Sequence, residues 1–502
     1  EDRRTGVLMH ISSLPSEYGI GDIGTEARAF ADSLSRSGIS LWQILPTGPT
    51  GYGDSPYASR SAFAGNELFI SPRELYVEGY LDLDDAVRKC EYTERVDYGK
   101  AREFKMPLLE KAAHAFLSSH KEKKAYSRFC EENSFWLDDY ALFQALCEKY
   151  NDSRWYCAWP RELRIRDDKA LEAARTELRD RIDVFCVLQY FFYKQWAGFR
   201  KYVNSVGVEL IGDIPIFVAA DSADAWVNKT LLKIDAEGHQ EVSSGVPPDA
   251  FSSTGQLWGN PVYRWEEHEK TGFRWWIDRI RTCLTLCDVV RIDHFRGFEA
   301  CWEVPAGEAT AENGQWVKGP GQKFFSAIKA SLGEDLPIIA EDLGVITEDV
   351  DALRIENRLP GMKIMQFAFG FRKDGSFDSG NAYLPHNYEK VCAAYTGTHD
   401  NNTTLGWYQE LDDRTKDAIR RYFECSDDRV LWTMMRSLLS SSAAWVIIPM
   451  QDILGLGSEA RMNTPSTCGS SNWSWRMRRE DISSPSFEGI GYYSRLYGRT
   501  GV

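Results

Sequence analysis

The stretch Val289-Val290-Arg291-Ile292-Asp293 decides how this chain is read. It is a short apolar run that ends on a carboxylate. The run is nearly continuous rather than alternating, as in a strand buried on both faces. Working outward, similar runs followed by turn chemistry stand at 6–10, 41–45, 210–213, 338–341, 362–366, 394–400 and 445–450. Helical patterns lie between many of them, at 25–34 and 321–331 for example. Eight strands separated by helices predict an α/β fold, a (β/α)8 TIM barrel. A doubly wound sheet shares the alternation, so the count of eight carries the choice.

The spacing is uneven. Between 45 and 210 the chain is far longer than one βα loop requires, and it holds helical patterns of its own. Trp136, Tyr140 and Phe143 recur at helical spacing, and 182–203 reads as a long aromatic helix. The expected organisation is a single catalytic barrel domain over 1–502, with a mostly helical inserted subdomain at about 58–205. A second excursion at about 229–261, rich in Gly, Pro and Ser, reads as a long ordered loop.

Composition narrows the function classes. The chain is 43% hydrophobic and 26% charged, which excludes a disordered or fibrous protein. The net charge of −15 argues against a nucleic-acid partner. No apolar run approaches the roughly 18 residues of a membrane span. The 11 cysteines are scattered without a CxxC pair and read as reduced thiols in a cytoplasmic setting. The start, Glu1-Asp2-Arg3-Arg4, shows no signal-peptide core and no Met, so the chain reads as processed or trimmed. Aromatic residues make up 13% of the chain, with 17 Trp, and tryptophan is often used on flat apolar ligands such as sugar rings.

Asp213, Asp293, Glu341 and Asp400 each close an apolar run. A carboxylate in apolar surroundings costs several kcal/mol unless it is paired or used. In a parallel barrel the C-terminal strand ends all face one bowl, so these acids are expected to converge there. Paired carboxylates suit glycosidic bond chemistry, one as nucleophile and one as proton donor. Arg291, two before Asp293 on the same strand face, is expected to keep that acid ionised. Pro-Ile-Ile-Ala leads into Glu341, an apolar approach that favours the proton-donor role. His399 and Asp400 are suited to gripping sugar hydroxyls.

Other chemistries fit less well. His399–Asp400 and Asp293–His294 are sequence neighbours, which on a strand point to opposite faces, and no HExxH or facial-triad spacing occurs, so no metal site is expected. There is no GxSxG for a serine nucleophile. Gly19-Ile20-Gly21-Asp22-Ile23-Gly24 matches GxGxxG literally, but residues 12–18 separate it from its strand. The next strand ends Gln43-Ile44-Leu45-Pro46 without an acid, so a dinucleotide site is excluded.

An ordered set of motifs then carries a resemblance. They are Trp42-Gln43-Ile44-Leu45-Pro46, Gly51-Tyr52-Gly53-Asp54-Ser55-Pro56-Tyr57, Gly212-Asp213-Ile214-Pro215 and Gly245-Val246-Pro247-Pro248-Asp249. They continue with Gly255-Gln256-Leu257-Trp258-Gly259-Asn260-Pro261, Val290-Arg291-Ile292-Asp293-His294-Phe295-Arg296-Gly297 and Ala340-Glu341-Asp342-Leu343-Gly344. Gly397-Thr398-His399-Asp400-Asn401, Arg461-Met462-Asn463-Thr464-Pro465 and Asn472-Trp473-Ser474-Trp475-Arg476 complete the set. Over nearly its whole length the chain resembles the 4-α-glucanotransferases of the amylomaltase or disproportionating-enzyme type, glycoside hydrolase family 77, relatives of the α-amylase barrels.

The resemblance implies a retaining transfer of an α-1,4-glucan segment through a covalent glycosyl-enzyme, without a cofactor. Donors and acceptors would be malto-oligosaccharides or longer α-1,4-glucans such as starch, with glucose as a further acceptor. Asp293 matches the nucleophile, Glu341 the general acid/base and Asp400 the third carboxylate. Asp213, Arg291, His294 and His399 match residues around the reacting glucose, Ser55 belongs to the same substrate-binding set, and Tyr57 would stack on that sugar. The loop 245–261 would cover the acceptor side with Phe251 and Trp258, Gln256 bonding the glucan. Asn463 would contact donor sugars. A transferase must exclude water while it binds a sugar acceptor, which an aromatic loop over the bowl would serve. Two features depart from the family pattern: Asn402 stands where Asp is usual, and Ala250 stands where an aromatic residue is frequent. The alternative readings are an α-glucan hydrolase with the same acids and a catalytically inactive glucan-binding protein. The expected location is the cytoplasm, with a plastid stroma as the alternative.

Overall fold

The structure, a computed structural model, describes all residues except 1, 251, 345, 484, 501 and 502. In chain order the strands are β1 (Arg4–Leu8), β2 (Leu41–Gln43), β3 (Glu209–Ile214), β4 (Val242–Val246), β5 (Gln256–Leu257) and β6 (Val289–Ile292). After them come β7 (Ala300–Pro305), β8 (Gln315–Lys318), β9 (Ile338–Ala340), β10 (Gly361–Ile364), β11 (Cys392–Tyr395) and β12 (Trp445–Pro449). Eight of these form one sheet in the order β10-β11-β12-β1-β2-β3-β6-β9, with every pairing parallel. The two end strands, β9 and β10, are joined by the Ala340 N–H donating to the Pro360 carbonyl at 2.9 Å. Just above, the Met362 N–H donates to the Asp342 carboxylate, also at 2.9 Å. The sheet thus rolls into a (β/α)8 barrel whose seam is held partly by a side chain.

Each apolar run contributes one barrel strand, but two expectations need correction. The run at 394–400 does not carry its strand to the acid, because β11 ends at Tyr395. Thr398 and Asn401 divert the chain: the Thr398 N–H donates to the Asn401 side chain at 2.8 Å, and the Asp400 N–H donates to the Thr398 hydroxyl at 3.2 Å. Such local side-chain bonds compete with a ladder. The 229–261 excursion is not simply a loop. It supplies β4 and β5 to a second sheet, ordered β5-β4-β7-β8 and antiparallel throughout.

Between β2 and β3 the chain is helical, with long helices at Tyr98–Ser118, Leu137–Tyr150 and Arg179–Ser205. The last of these packs on the barrel. Trp42 of β2 is fully buried between Phe30 of the helix Thr25–Arg36 and Phe199, with ring centroids at 4.8 and 5.5 Å. Its indole N–H donates to the Met9 carbonyl at 2.7 Å. The Gly19–Gly24 run serves packing: a Cβ on Gly21 would fall 1.9 Å from the Ile11 carbonyl oxygen, so only glycine lets this loop fold back on itself. Among the described residues no helix is long and apolar enough to cross a membrane.

Trp42→Ala removes the ring that joins β2 to both helices and leaves the Met9 carbonyl without its donor. It should destabilise the fold by about 3–5 kcal/mol, read as a lowered midpoint in urea unfolding.

Candidate active site

The register of the barrel assembles the site. Asp213 of β3 lies directly beside Arg291 of β6. The Asp293 N–H donates to the Ile214 carbonyl at 2.9 Å, and the Glu341 N–H donates to the Ile292 carbonyl at 3.0 Å. Asp293 and Glu341 therefore leave adjacent strands at one level, Asp213 lies lower at the level of Arg291, and the Arg291 guanidinium lies among the three carboxylates. Arg291 is 3% exposed. Its Nη1 donates to both oxygens of Asp213, at 2.9 and 3.0 Å. Its Nη2 lies 3.2 Å from the Asp293 carboxylate and 3.9 Å from that of Glu341. Burial alone would lower the Arg291 pKa, but Asp213, Tyr57, Asp293 and Glu341 together push it well above the ordinary value.

The two reacting candidates are not equivalent. Burial, and after it the nearby Asp293 charge, push Glu341 up to about 8 despite Arg291. Asp293 is pushed up to about 6, chiefly by burial, with Arg291 opposing and Asp213 and Asp400 adding to the rise. Arg291 opposes that rise, but its guanidinium is shared with two other acids and does not offset burial fully.

Asp400 approaches from the turn after β11. Burial would raise its pKa, but the His399 imidazole and the Asn463 amide outweigh that and hold it below the usual carboxylate range. His399 Nε2 lies 3.3 Å from Asp400 Oδ2, and Asn463 Nδ2 donates to Asp400 Oδ1 at 2.8 Å. Because a turn carries them, these neighbours converge rather than facing apart as strand residues would. Tyr57 donates its hydroxyl to Asp213 and stacks on His399, with centroids 4.9 Å apart and planes at 15°.

These groups open into a cleft of about 1540 Å³, lined by Ser55, Tyr57, Gln256, Trp258, Asp293, His294, Glu341, His399, Asp400 and Asn463. Asp213 and Arg291 lie beneath it, buried. Trp258 is exposed to the cleft and meets the His294 ring edge-on at 4.8 Å. Its indole N–H donates to Gln256 at 3.3 Å, so the two share one rim. Burial and the Arg296 charge lower the His294 pKa to about 3, so this imidazole is neutral. Phe251 lies outside the described residues.

Sequence reasoning passed over Trp473, which lines the cleft against Tyr57 and His399 at 5.8 and 5.9 Å. A non-glycine residue at φ 61° within a Gly- and Ser-rich segment was its signal, and φ is not readable from sequence. It also passed over Arg461, which donates to the Asp400 carbonyl at 2.8 Å. Asn402, the departure from the family pattern, is turned to Ser458, its amide donating at 2.9 Å. Among the described residues no group of three or more His, Cys, Asp or Glu is placed to hold a metal ion.

A family profile described as 4-alpha-glucanotransferase matches residues 9–482. The chain belongs to the 4-alpha-glucanotransferase family. It is similar to the 4-alpha-glucanotransferase of Clostridium butyricum, 46% identical over 98% of this chain and 100% of that one. It is also similar to the chloroplastic/amyloplastic 4-alpha-glucanotransferase of Solanum tuberosum, 44% identical over 97% of this chain and 84% of that one. Among solved structures it resembles an amylomaltase from Streptococcus agalactiae in complex with acarbose. That match has a TM-score of 0.94 and 40% identity and covers 99% of both chains. The chain is a glycosyl-transferring enzyme, and its family acts on α-1,4-glucans.

Arg291→Met should cost this 4-alpha-glucanotransferase about 3–5 kcal/mol of stability, since it strands buried carboxylates. Acids deprived of their cation bind protons more tightly folded than unfolded. The stability they contribute is present at low pH and lost as pH rises, so the deficit should be smaller at about pH 5 than at about pH 8 in thermal unfolding.

Proposed function

We propose that the enzyme cuts an α-1,4-glucan, holds the donor part on Asp293, and passes it with retained configuration to a second glucan or to glucose. The observation that carries this reading is that the Asp293 and Glu341 carboxyls flank the same Arg291 nitrogen, at 3.2 and 3.9 Å, while their pKa values are pushed apart to about 6 and about 8. At neutral pH one acid is a carboxylate and its neighbour a carboxylic acid, the pairing that retaining cleavage needs.

In the first step an Asp293 oxygen attacks the anomeric carbon as the glycosidic bond breaks, and the Glu341 proton goes to the leaving oxygen. In the second, Glu341, now a carboxylate, takes the proton of an acceptor hydroxyl as that oxygen displaces Asp293 from the sugar. Asp400, held below the usual range, stays ionised and with His399 grips hydroxyls beside the positive charge that develops on the ring. Asp213 and Arg291 fix the floor, and Ser55, Tyr57, His294 and Asn463 surround the sugar. The acarbose in the Streptococcus agalactiae neighbour supports a glucan occupant. Gln256 and Trp258 on the rim, and Phe251 as a further acceptor-side residue, would hold an acceptor and keep water out. No step draws on a metal or organic cofactor. We further read 58–205 as an inserted subdomain of a single catalytic unit. The 11 cysteines, all free thiols, fit a reducing compartment, either a cytoplasm or a plastid stroma.

Product analysis on maltotriose tests the proposal. The wild type should yield glucose plus longer oligomers without a net gain of reducing ends, whereas a steady gain would mean hydrolysis. Asp293→Asn should lower turnover by about 10³-fold or more, and near-full activity would refute the assigned nucleophile. The pH profile of kcat/KM should be bell-shaped. Activity should rise through about 6 as Asp293 ionises and fall through about 8 as Glu341 loses its proton, both values belonging to the pair.

A further inference from the structure

Beyond Trp258 and His294 the cleft wall continues to a second tryptophan. Trp316 of β8 is 43% exposed and lines the same cleft as the three carboxylates. Solitary exposed aromatics are common and by themselves carry no message. This one is built in. The Arg296 guanidinium lies over its ring at 4.1 Å, and Trp302 packs against it at 5.3 Å with the planes at 69°. Trp302 is itself fixed, its indole N–H donating to the Ala311 carbonyl at 2.8 Å. The exposed ring is therefore held in one orientation before any ligand arrives, which lowers the entropic cost of binding on it. Polar groups rim it: Lys318 donates to Glu299 and lies 3.8 Å from Asp349. An apolar plate edged by hydrogen-bonding groups matches a pyranose ring, whose faces carry C–H groups and whose edge carries hydroxyls.

The barrel order gives this plate its place. Asn463 follows β12, while Arg296 and Trp316 follow β6, and these strands stand four apart in the ring of eight. They therefore rise from opposite sides of the ring, and Asp293, Glu341 and Asp400 line the same cleft. A linear glucan long enough to run from Asn463 across the carboxylates would have Trp258 and Trp316 in the wall of the cleft it fills.

We propose that Trp316 is the platform of a remote subsite that takes one glucose unit of a long α-1,4-glucan, on the side of the cleft away from Asn463. The inference rests on the glucan reading above and adds to it a residue that favours long chains over short ones.

Calorimetry on the Asp293→Asn chain, to suppress turnover, tests this with maltotriose and maltoheptaose as ligands. The longer sugar should bind more tightly. Trp316→Ala should reduce that preference about 5- to 10-fold, and Trp316→Phe should keep most of it. With Trp316 intact, backbone hydrogen exchange over Gln315–Lys318 should slow with maltoheptaose and not with maltotriose. An unchanged preference in Trp316→Ala, an equal loss for both sugars, or no slowing at Gln315–Lys318 with the longer one overturns the subsite. If neither sugar binds even with Trp316 intact, the glucan reading fails and the subsite with it. If both bind but the preference survives Trp316→Ala, only the subsite fails.

Discussion

The site depends on one buried cation. Taking Asp213, Asp293 and Glu341 out of water side by side would cost several kcal/mol for each ion, and their mutual repulsion would add to it. Arg291 makes the convergence tolerable because a guanidinium is planar and many-donored: one nitrogen serves Asp213 bidentately while the other faces Asp293 and Glu341. A lysine would offer a point charge to one of them. The position follows from the pleat. Arg291 and Asp293 are two apart along β6, so they share a face, and the parallel register sets Asp213 beside Arg291.

The barrel and the antiparallel sheet divide the work around that cation. The barrel strands are buried on both faces and their seam is finished by Asp342 next to Glu341. The antiparallel sheet β5-β4-β7-β8 stands outside the ring and carries the exposed aromatics Trp258, just past β5, and Trp316 on β8. Most of the aromatic residues serve packing instead: Trp42, Trp155, Trp196, Trp226 and Trp276 are fully buried. Flat apolar rings are thus used twice in this chain, as core filler where water is absent and as exposed plates where a cleft stays open.

The barrel was legible in the sequence because strands buried on both faces leave continuous apolar runs, and such runs are local. Asp293 and Glu341 were legible for the same reason, each being the first polar residue after its strand. Asp400 was read as a strand end although a turn carries it, because Thr398 and Asn401 act through side-chain bonds that hydropathy does not register. The antiparallel sheet was hidden by composition. β4 reads Val-Ser-Ser-Gly-Val and β5 is two residues long, so neither shows an apolar period, and the strand that ties β4 to the rest of the sheet, β7, lies tens of residues away. Trp473 and Trp316 were unreadable as cleft residues for a related reason: exposure toward a cleft is a property of the assembled surface. The pairing of Asp293 with Arg291 is visible in sequence, whereas the sharing of that arginine among three acids, which leaves the Asp293 pKa raised, is not.

The shared arginine also bears on how one glutamate would serve two opposite proton transfers. Glu341 is raised first by burial and second by the negative charge of Asp293. In the proposed route Asp293 becomes an ester in the intermediate and loses that charge, while Arg291 keeps its own. The second cause of the rise disappears and the opposing cation remains, so the Glu341 pKa falls once the proton has been delivered. A residue that is an acid before cleavage becomes a carboxylate suited to deprotonate the acceptor, with no movement of the backbone. Burial keeps the pKa high enough for the first step, and the changing charge of the neighbour lowers it for the second. The requirement is that both carboxyls stay close to each other and to one fixed cation, which is what strands β6 and β9, joined in register, provide.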